Sequence, residues 1–274
     1  MKIVSFNVNS IRMRLHQLAR VIEKHQPEFI GLQETKVQDH EFPVAEIQAL
    51  GYEVIFMGQK THYGVALLSR SPCLKACYGL PNDGEDAQKR FIGGEFKIGS
   101  RVMNVYNGYF PQGESRDHPL KFPAKTQFYR LLNSFLQDFD MNSTPLVVMG
   151  DYNIAPQDID IGIGEENARR WLRSGKTSFL PEEREWFEDL VALGLYDGFR
   201  LAHAQADDVF SWFDYRSKGF DREPRRGLRI DHLLVSENLR ACVIDAGVDY
   251  DIRGMEKPSD HAPCWIELGS LWNE

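Results

Sequence analysis

The apolar run Val147-Val148-Met149 leads straight into Gly150-Asp151-Tyr152-Asn153, so a predicted strand ends by presenting a carboxylate and an amide side by side. The pattern recurs: Ile3 to Phe6 ends at Asn7, Ile30-Gly31-Leu32 ends at Gln33-Glu34, and Val102 to Val105 leads to Asn107 and Tyr109. The last fifth of the chain adds Arg229-Ile230-Asp231 and Ser259-Asp260-His261. Phosphodiester hydrolysis needs charge neutralised on the phosphoryl oxygens, a base beside a water, and help for the leaving oxygen. Mg²⁺ or Mn²⁺ serves the first and third, and it prefers carboxylate and amide oxygens. Asn7, Glu34, Asp151, Asn153, Asp231 and Asp260 are ligands and bases of that kind, with His261 as the accompanying imidazole. Singly, each has an ordinary explanation: a turn former or helix cap, a loop charge, a structural histidine. Six together at strand ends make the case.

These residues must be positioned by strands alternating with helices. The sequence predicts strands at Ile3 to Phe6, Phe29 to Leu32, Tyr52 to Phe56, Val65 to Ser69, Phe91 to Ile98 and Val102 to Tyr106. It predicts later strands at Leu228 to Ser236, Val243 to Asp249 and Ala262 to Leu268. Helical spacing marks Leu15 to Ile22, a short turn through Val44, Ile47 and Leu50, and the run from Pro123 to Asp140. Glu165 to Arg173 and Pro181 to Leu193 read as two more helices, the second with proline in its first turn and Gly194 after its last. Consecutive strands without a helix between them require hairpins, so the sheets are mixed. Site candidates on the first and last strands draw both halves around one centre. The expectation is a single α/β domain over 1–268, two packed mixed sheets covered by helices, with 269–274 as a tail.

Composition bounds the partners. The chain has 274 residues, 42% of them hydrophobic, and a net charge of -8, which by itself disfavours a polyanion. Cys73, Cys77, Cys242 and Cys264 follow no zinc spacing and read as reduced thiols. The N-terminus turns polar too soon for a signal peptide, and no apolar run approaches the roughly 18 residues of a membrane span. A cytoplasmic protein is expected. If Asp260 and His261 are extended, their side chains point apart, and Asp231 becomes the better partner to fix the imidazole.

Asn7-Val8-Asn9, Leu32-Gln33-Glu34-Thr35-Lys36, Asn107-Gly108-Tyr109-Phe110-Pro111-Gln112-Gly113, Gly150-Asp151-Tyr152-Asn153-Ile154, Ser211-Trp212-Phe213-Asp214-Tyr215-Arg216, Leu228-Arg229-Ile230-Asp231-His232 and Ser259-Asp260-His261-Ala262-Pro263 together resemble the motif set of the exonuclease III family of abasic-site endonucleases, from Met1 to about Leu268. The resemblance implies a DNase I-like four-layer α/β sandwich and a Mg²⁺-dependent site in which Mn²⁺ substitutes. Glu34 would be the principal metal ligand, supported by Asn7 and Asp260. Asp151 would be the base, or a metal ligand that activates water. Asn153 and Tyr109 would position the phosphate. His261, oriented by Asp231, would contact a phosphoryl oxygen or take the water's proton. Asn153 and His261 also count as candidate metal ligands.

The substrate has to come from the loops. Arg216, Lys218, Arg222, Arg225, Arg226 and Arg229 outnumber Asp221 and Glu223 in a segment that follows Trp212 and Phe213, the footprint of a nucleic-acid backbone beside a stacked group. By resemblance Trp212, Phe213 and Leu228 would form the wall for a flipped-out abasic sugar. Further basic clusters, Lys89-Arg90, Arg116 with His118, Lys121 and Lys125, and Arg169-Arg170 with Arg173 and Lys176, would extend a duplex track. Arg90, Gln112, Lys121 and Arg216 are the DNA contacts expected beside that wall. They would hold the backbone without reading sequence, with binding that weakens in salt. The implied activities are incision 5′ to abasic sites in double-stranded DNA, digestion from 3′ ends, removal of 3′ phosphates and degradation of RNA in hybrids. A monomer without membrane or obligate protein partner is expected. A phosphoinositide-type phosphatase of the same fold and a non-catalytic DNA-binding relative are the rivals.

Overall fold

The computed structural model describes residues 1–84 and 86–269; of the expected tail, 270–274 lie outside it. In chain order the elements are β1 (Lys2–Asn7), α1 (Ile11–His25), β2 (Phe29–Gln33), α2 (Val44–Ala49), β3 (Glu53–Met57), β4 (Val65–Ser69), β5 (Cys73–Tyr78), β6 (Phe91–Ile98), β7 (Arg101–Tyr109) and α3 (Lys121–Leu136). There follow β8 (Leu146–Asp151), α4 (Glu165–Arg173), α5 (Pro181–Ala192), β9 (Leu195–Asp197), α6 (Gly198–Ala202), β10 (Asp231–Ser236), α7 (Glu237–Arg240), β11 (Val243–Val248), α8 (Tyr250–Arg253) and β12 (Cys264–Leu268).

Two six-stranded sheets form, in the orders β11-β12-β1-β2-β4-β3 and β5-β6-β7-β8-β10-β9. Each has one parallel pair at its centre, β1 with β2 and β7 with β8, and antiparallel pairs elsewhere. Helix α1 makes the first parallel crossover and α3 the second, as a parallel connection requires. Three apolar layers result. Ile3, Phe29, Val105, Met149, Leu233 and Ile266 pack between the sheets. Val4, Ile30 and Leu32 meet Leu18 and Val21 of α1 on one outer face. Tyr106, Val148 and Leu234 meet Phe128 and Leu132 of α3 and Phe187 of α5 on the other. The four-layer α/β sandwich is present.

Successive side chains of a strand alternate between faces, so one inward residue fixes the rest. With Ile3 inside, Ser5 and Asn7 are inside. With Phe29 inside, so is Gln33, and Val105, Met149 and Leu233 carry Asn107, Tyr109, Asp151 and Asp231 with them. The apolar stripe of each central strand turns polar over its final residues, all at one end of the sandwich. Antiparallel partners must begin where central strands end, and Asp231 opens β10 directly opposite Asp151. Two glycines permit the close approach this needs. A Cβ on Gly150 would sit 1.9 Å from the Gly108 carbonyl oxygen, and one on Gly31 2.8 Å from the Asn107 side chain.

Several boundaries differ from the sequence reading. Helix α3 starts two residues before Pro123, because the proline falls in the first turn, where its missing N–H costs nothing. His118 Nδ1 accepts the Leu120 and Lys121 N–H groups just ahead of it. Strand β10 begins at Asp231 rather than Leu228, which instead bridges to Ile161 and Trp212. Strands β5 and β9 were not foreseen: β5 exposes most of its residues, so its pattern does not alternate, and β9 has only three residues. The cysteines are all free. No helix among the described residues is long and apolar enough to cross a membrane.

Two basic residues expected on the DNA track are internal. Arg229 is 2% exposed and bonds Asp160 at 2.6 Å and Asp197 at 2.7 Å, with His232 Nδ1 at 3.1 Å. Lys125 is fully buried against Glu183 at 2.5 Å and also donates to the Asn153 carbonyl at 2.9 Å. Charges sealed from water need partners that cannot be removed singly. Replacing Arg229 with Met should therefore lower the unfolding free energy by about 3–5 kcal/mol, because Asp160 and Asp197 lose their shared guanidinium. A urea titration that moves by less than about 1 kcal/mol would show the network to be dispensable.

Asp249 gives a pH-dependent counterpart. It caps α8 and bonds His25 Nε2 at 2.7 Å and Lys24 Nζ at 2.9 Å, and these donors, outweighing burial, hold its carboxyl down at about 2. A depressed native value stabilises the fold above the unfolded value near 4, and the gain disappears as pH falls towards 2. Asp249→Asn, which keeps an acceptor for the cap, should cost about 2 kcal/mol at pH 7 and almost nothing near pH 2. Equal losses at both pH values would place the effect in packing instead.

Candidate active site

Seven chain segments meet at the polar end of the sandwich. Asn7, from the end of β1, donates its Nδ2 to Glu34 Oε1 at 3.3 Å and to Asp151 Oδ2 at 3.0 Å. Two carboxylates from different sheets thus hang on one amide nitrogen. Glu34 leaves β2 and Asn153 follows β8 through left-handed backbone, φ 52° and 53°, a conformation that non-glycine residues adopt only when the surroundings impose it. Here they do: the Asp151 carboxylate accepts the Asn153 N–H at 3.0 Å, and Asn153 Nδ2 donates to the Phe110 carbonyl at 3.0 Å. Glu34 is also fixed by the Tyr109 hydroxyl at 2.6 Å and the Lys36 ammonium at 2.9 Å.

Asp260 and His261 arrive on the loop before β12. Ser259 Oγ donates to the Asn7 carbonyl at 2.7 Å and accepts the His261 N–H, which ties this loop to β1. Asp260 accepts Asn9 Nδ2 at 2.8 Å and the Trp212 indole N–H at 3.0 Å. His261 Nδ1 lies 2.8 Å from Asp231, the partner expected from strand geometry, and its Nε2 stands 3.7 Å from Asp151. Asp231 keeps one buried carboxylate oxygen without a partner.

The electrostatics follow from crowding acids out of water. Burial, with Asp231 and Glu34 nearby, pushes the Asp151 carboxyl well above the carboxylate range although His261 opposes it. Burial alone would lower His261, but Asp231 and Asp151 outweigh it and keep the ring protonated. Asp260 is half-buried and partly desolvated, yet the His261 charge and its two N–H donors hold it below the usual range. Tyr109 is raised far above the phenol range by burial and then by Glu34 and Asp151, so it stays a donor.

Ligand atoms of Asp151, Asp231 and His261 lie within 4.8 Å of one another. With the ring protonated, His261 Nδ1 stands 2.8 Å from Asp231 and Nε2 3.7 Å from Asp151, an ion-paired arrangement. A hard cation fits better at Glu34 and Asp151, joined through Asn7, with Asp260 held nearby through Asn9. These are oxygen donors of the kind Mg²⁺ prefers, and an added positive charge would relieve the repulsion that raises Asp151. Asn7 departs from its expected part as a ligand: its side-chain Oδ1 accepts the Asn9 N–H at 3.0 Å, so it faces the acids with its Nδ2 group.

Two cavities flank this cluster, sharing Glu34, Tyr109 and Gln112 as a partition. One, of about 260 Å³, places Asp151, Asn153 and His261 beside an apolar wall of Trp212, Leu228 and Ile230. The other, of about 590 Å³, is lined by Lys36, Arg90, His118 and Lys121. Arg90 is almost covered, its guanidinium between the Tyr63 and Tyr109 rings at 4.5 and 4.7 Å and donating to the Tyr109 carbonyl. Lys121 sits at the rim, paired with Glu114 at 2.5 Å, and Gln112 is held by Thr177. Arg216 is exposed, outside both cavities.

Phe213 requires a correction. Its ring has no exposed surface and packs edge-on against Phe220 and Tyr250 at 5.2 and 5.8 Å, so it supports Trp212 from behind and forms no part of the wall. The alternation that turns Trp212 out turns Phe213 in. His232 faces the outer layer; it bonds the Ile154 carbonyl at 2.8 Å and lies against Tyr152 and Phe187. Asn9, Ser259, Ile230 and Lys176 belong to the site and were not singled out for it. Asn9 and Ser259 stand inside quoted motifs, whereas Lys176 enters from a loop with no periodic signal.

Comparison with known proteins agrees with this geometry. The chain is 55% identical to the exodeoxyribonuclease III of Haemophilus influenzae over 98% of its own length and 100% of that protein's. The Neisseria 3′ phosphatase NExo, solved with a product DNA hairpin, superposes with a TM-score of 0.89 at 38% identity, covering 98% of this chain and 99% of that one. An AP endonuclease from Archaeoglobus fulgidus superposes with a TM-score of 0.88 at 32% identity, over 98% and 99% of the two chains. Residues 4–261 match the model of the endonuclease/exonuclease/phosphatase family, and with sheets, acidic cluster and covering relatives in agreement, the chain belongs to that family.

Proposed function

We propose that this chain is a DNA-repair nuclease that hydrolyses phosphodiesters in duplex DNA, cutting on the 5′ side of abasic sites and removing nucleotides and blocking phosphates from 3′ ends. Its relatives are named as an exodeoxyribonuclease III, a 3′ phosphatase and an AP endonuclease. The observation that carries the reading is the contact between the buried acid cluster and the apolar pocket of Trp212, Leu228 and Ile230. A pocket of about 260 Å³ beside the reacting groups suits a sugar without its base, and baseless nucleotides leave the stack at least cost. RNA strands of hybrids offer the same phosphodiester at a 3′ end.

Glu34, Asp151 and Asp260 would hold the divalent cation, for which we assign Mg²⁺ with Mn²⁺ as a substitute. When bound, it supplies charge neutralisation at the phosphoryl and leaving oxygens. Asp151, which lines the pocket beside Asn153 and His261, takes the proton of the attacking water. His261, kept protonated by Asp231, donates to a phosphoryl oxygen where negative charge develops. Asn153 faces the pocket and orients the phosphate. The bond from phosphorus to the 3′ oxygen breaks, leaving a 3′ hydroxyl and a 5′ phosphate. Tyr109, clamped by Arg90, acts by holding Glu34. Arg90, Gln112, Lys121 and Arg216 follow the backbone. The site draws its groups from both halves of the chain, which supports a single domain over 1–268; we assign it as a monomer acting in the cytoplasm.

One duplex carrying a tetrahydrofuran abasic analogue and a recessed 3′ end tests the reading. With Mg²⁺ it should be incised 5′ to the analogue and shortened from the 3′ end; with EDTA neither should occur. Undiminished cutting in thoroughly chelated buffer would end the assignment. Asp151→Asn should slow cleavage by at least about 10²-fold, the usual contribution of a general base, while anisotropy shows the duplex still bound. Binding lost together with the fold would make Asp151 structural.

A further inference from the structure

Of the described residues lining the sugar-sized pocket, Lys176 alone carries an ammonium. Its Nζ stands 3.6 Å over the Trp171 ring, and that ring is stacked on Phe179 with centroids 5.7 Å apart and planes 8° off parallel. The lysine is thus held by a fixed aromatic platform, while among the described residues no carboxylate lies within ion-pair distance of it. Burial lowers its proton affinity, Asp214 raises it, and Arg170 lowers it again. An anion arriving at the amine would relieve both the burial and the repulsion from Arg170.

The strand has somewhere to go beyond this point. Trp171 and Trp212 also border a second cavity of about 230 Å³, into which Arg170, Arg222 and Arg226 face, with Asp214 as its one carboxylate. Among the described residues, Arg170 bonds only the Asn167 amide oxygen and Arg222 only the Ser217 carbonyl, so both keep their charge available. On the nuclease reading, the scissile phosphate would sit at Asp151 and His261, which line the same pocket as Lys176. A sugar in the pocket therefore turns its other phosphate towards Lys176 and this cavity.

We propose that Lys176, backed by Arg170, holds the phosphodiester on the 3′ side of the bound sugar and thereby sets the preference for internal abasic sites over 3′-terminal nucleotides. A 3′-terminal nucleotide has no phosphate there. Lys176 is a specificity residue in this account, not one that touches the reacting atoms. The inference rests on the nuclease reading above and deepens it.

The test replaces that one linkage, immediately 3′ to a tetrahydrofuran site in a duplex, with an uncharged methylphosphonate. Wild-type kcat/KM for incision should fall about tenfold, the order of one charge-assisted hydrogen bond. Lys176→Gln should lower incision of the ordinary duplex about tenfold, and the methylphosphonate should then cost it less than twofold, the signature of a coupled pair. Lys176→Arg should keep the sensitivity to the methylphosphonate. The ratio of internal incision to release of a 3′-terminal tetrahydrofuran nucleotide should fall in Lys176→Gln. A wild type indifferent to the methylphosphonate, or a glutamine variant that loses both activities in proportion, overturns the proposal. If Lys176→Gln fails to fold, the wild-type comparison and the arginine variant still decide it. A wild type that does not cut the unmodified duplex with Mg²⁺ refutes the nuclease reading itself, a different result from cutting both duplexes alike.

Discussion

Everything at the catalytic end of this molecule depends on one amide. Asn7 Nδ2 is shared between Glu34, delivered by one sheet, and Asp151, delivered by the other. Between the sheets the chain has only dispersion and apolar contact to set their separation, and neither is directional. A hydrogen-bonded nitrogen is directional, and here it fixes how far apart two acids from different sheets can stand. Asn107 does the same one layer deeper: from β7 it donates to the Leu32 and Ala66 carbonyls of the other sheet and accepts from Gln33. The inter-sheet core becomes a hydrogen-bonded polar seam just before it reaches solvent, with Gln33 Oε1 and one Asp231 oxygen left unpaired. Buried polar groups that are fully paired specify geometry more sharply than apolar packing does.

That seam explains why acids in excess can be tolerated. Asp151, Asp231, Glu34 and Asp260 converge on one imidazole and one lysine, and Asp151 is left reluctant to ionise. The fold bears this because the strain is shared with large satisfied networks behind the site. Arg229 with Asp160 and Asp197 lies under β10, and Lys125 with Glu183 holds the Asn153 carbonyl. The unsatisfied charge is confined to the surface where a cation and a phosphate would enter.

Most of the site could be read in the sequence because strand alternation is exact. Once Ile3, Phe29, Val105, Met149 and Leu233 are taken as core, the inward residues at the strand ends can only be Asn7, Gln33, Asn107 with Tyr109, Asp151 and Asp231. The same logic, applied to Trp212 and Phe213, would have kept only one of them in the pocket wall; treating adjacent aromatics as a pair was the error. Amide orientation was not legible. A sequence identifies Asn7 as polar and inward but not which of its two atoms faces the acids, since that depends on Asn9 claiming the side-chain Oδ1. Strands β5 and β9 escaped because an exposed edge strand and a three-residue strand carry no period to detect. Lys176 escaped because its place depends on a ring stack between Trp171 and Phe179 that no spacing rule encodes.

The net charge of -8 looks wrong for a protein that handles DNA, and the structure shows why the average misleads. Basic residues fall into two populations that sequence clusters mix together. Arg229 and Lys125 are sealed inside with carboxylates, and Arg225 lies over the Phe220 and Tyr250 rings at 5.0 and 4.6 Å. Arg90, Lys176, Arg170, Arg222 and Arg226 instead line cavities beside the acid cluster. The sealed charges are neutralised by their own carboxylates, so the second population, with Lys121 and Arg216, is the one that faces a bound strand. A polyanion is therefore met by local positive walls around a negative centre. The centre repels phosphate until a cation reverses its sign, which is why acids and arginines have to share one end of the fold.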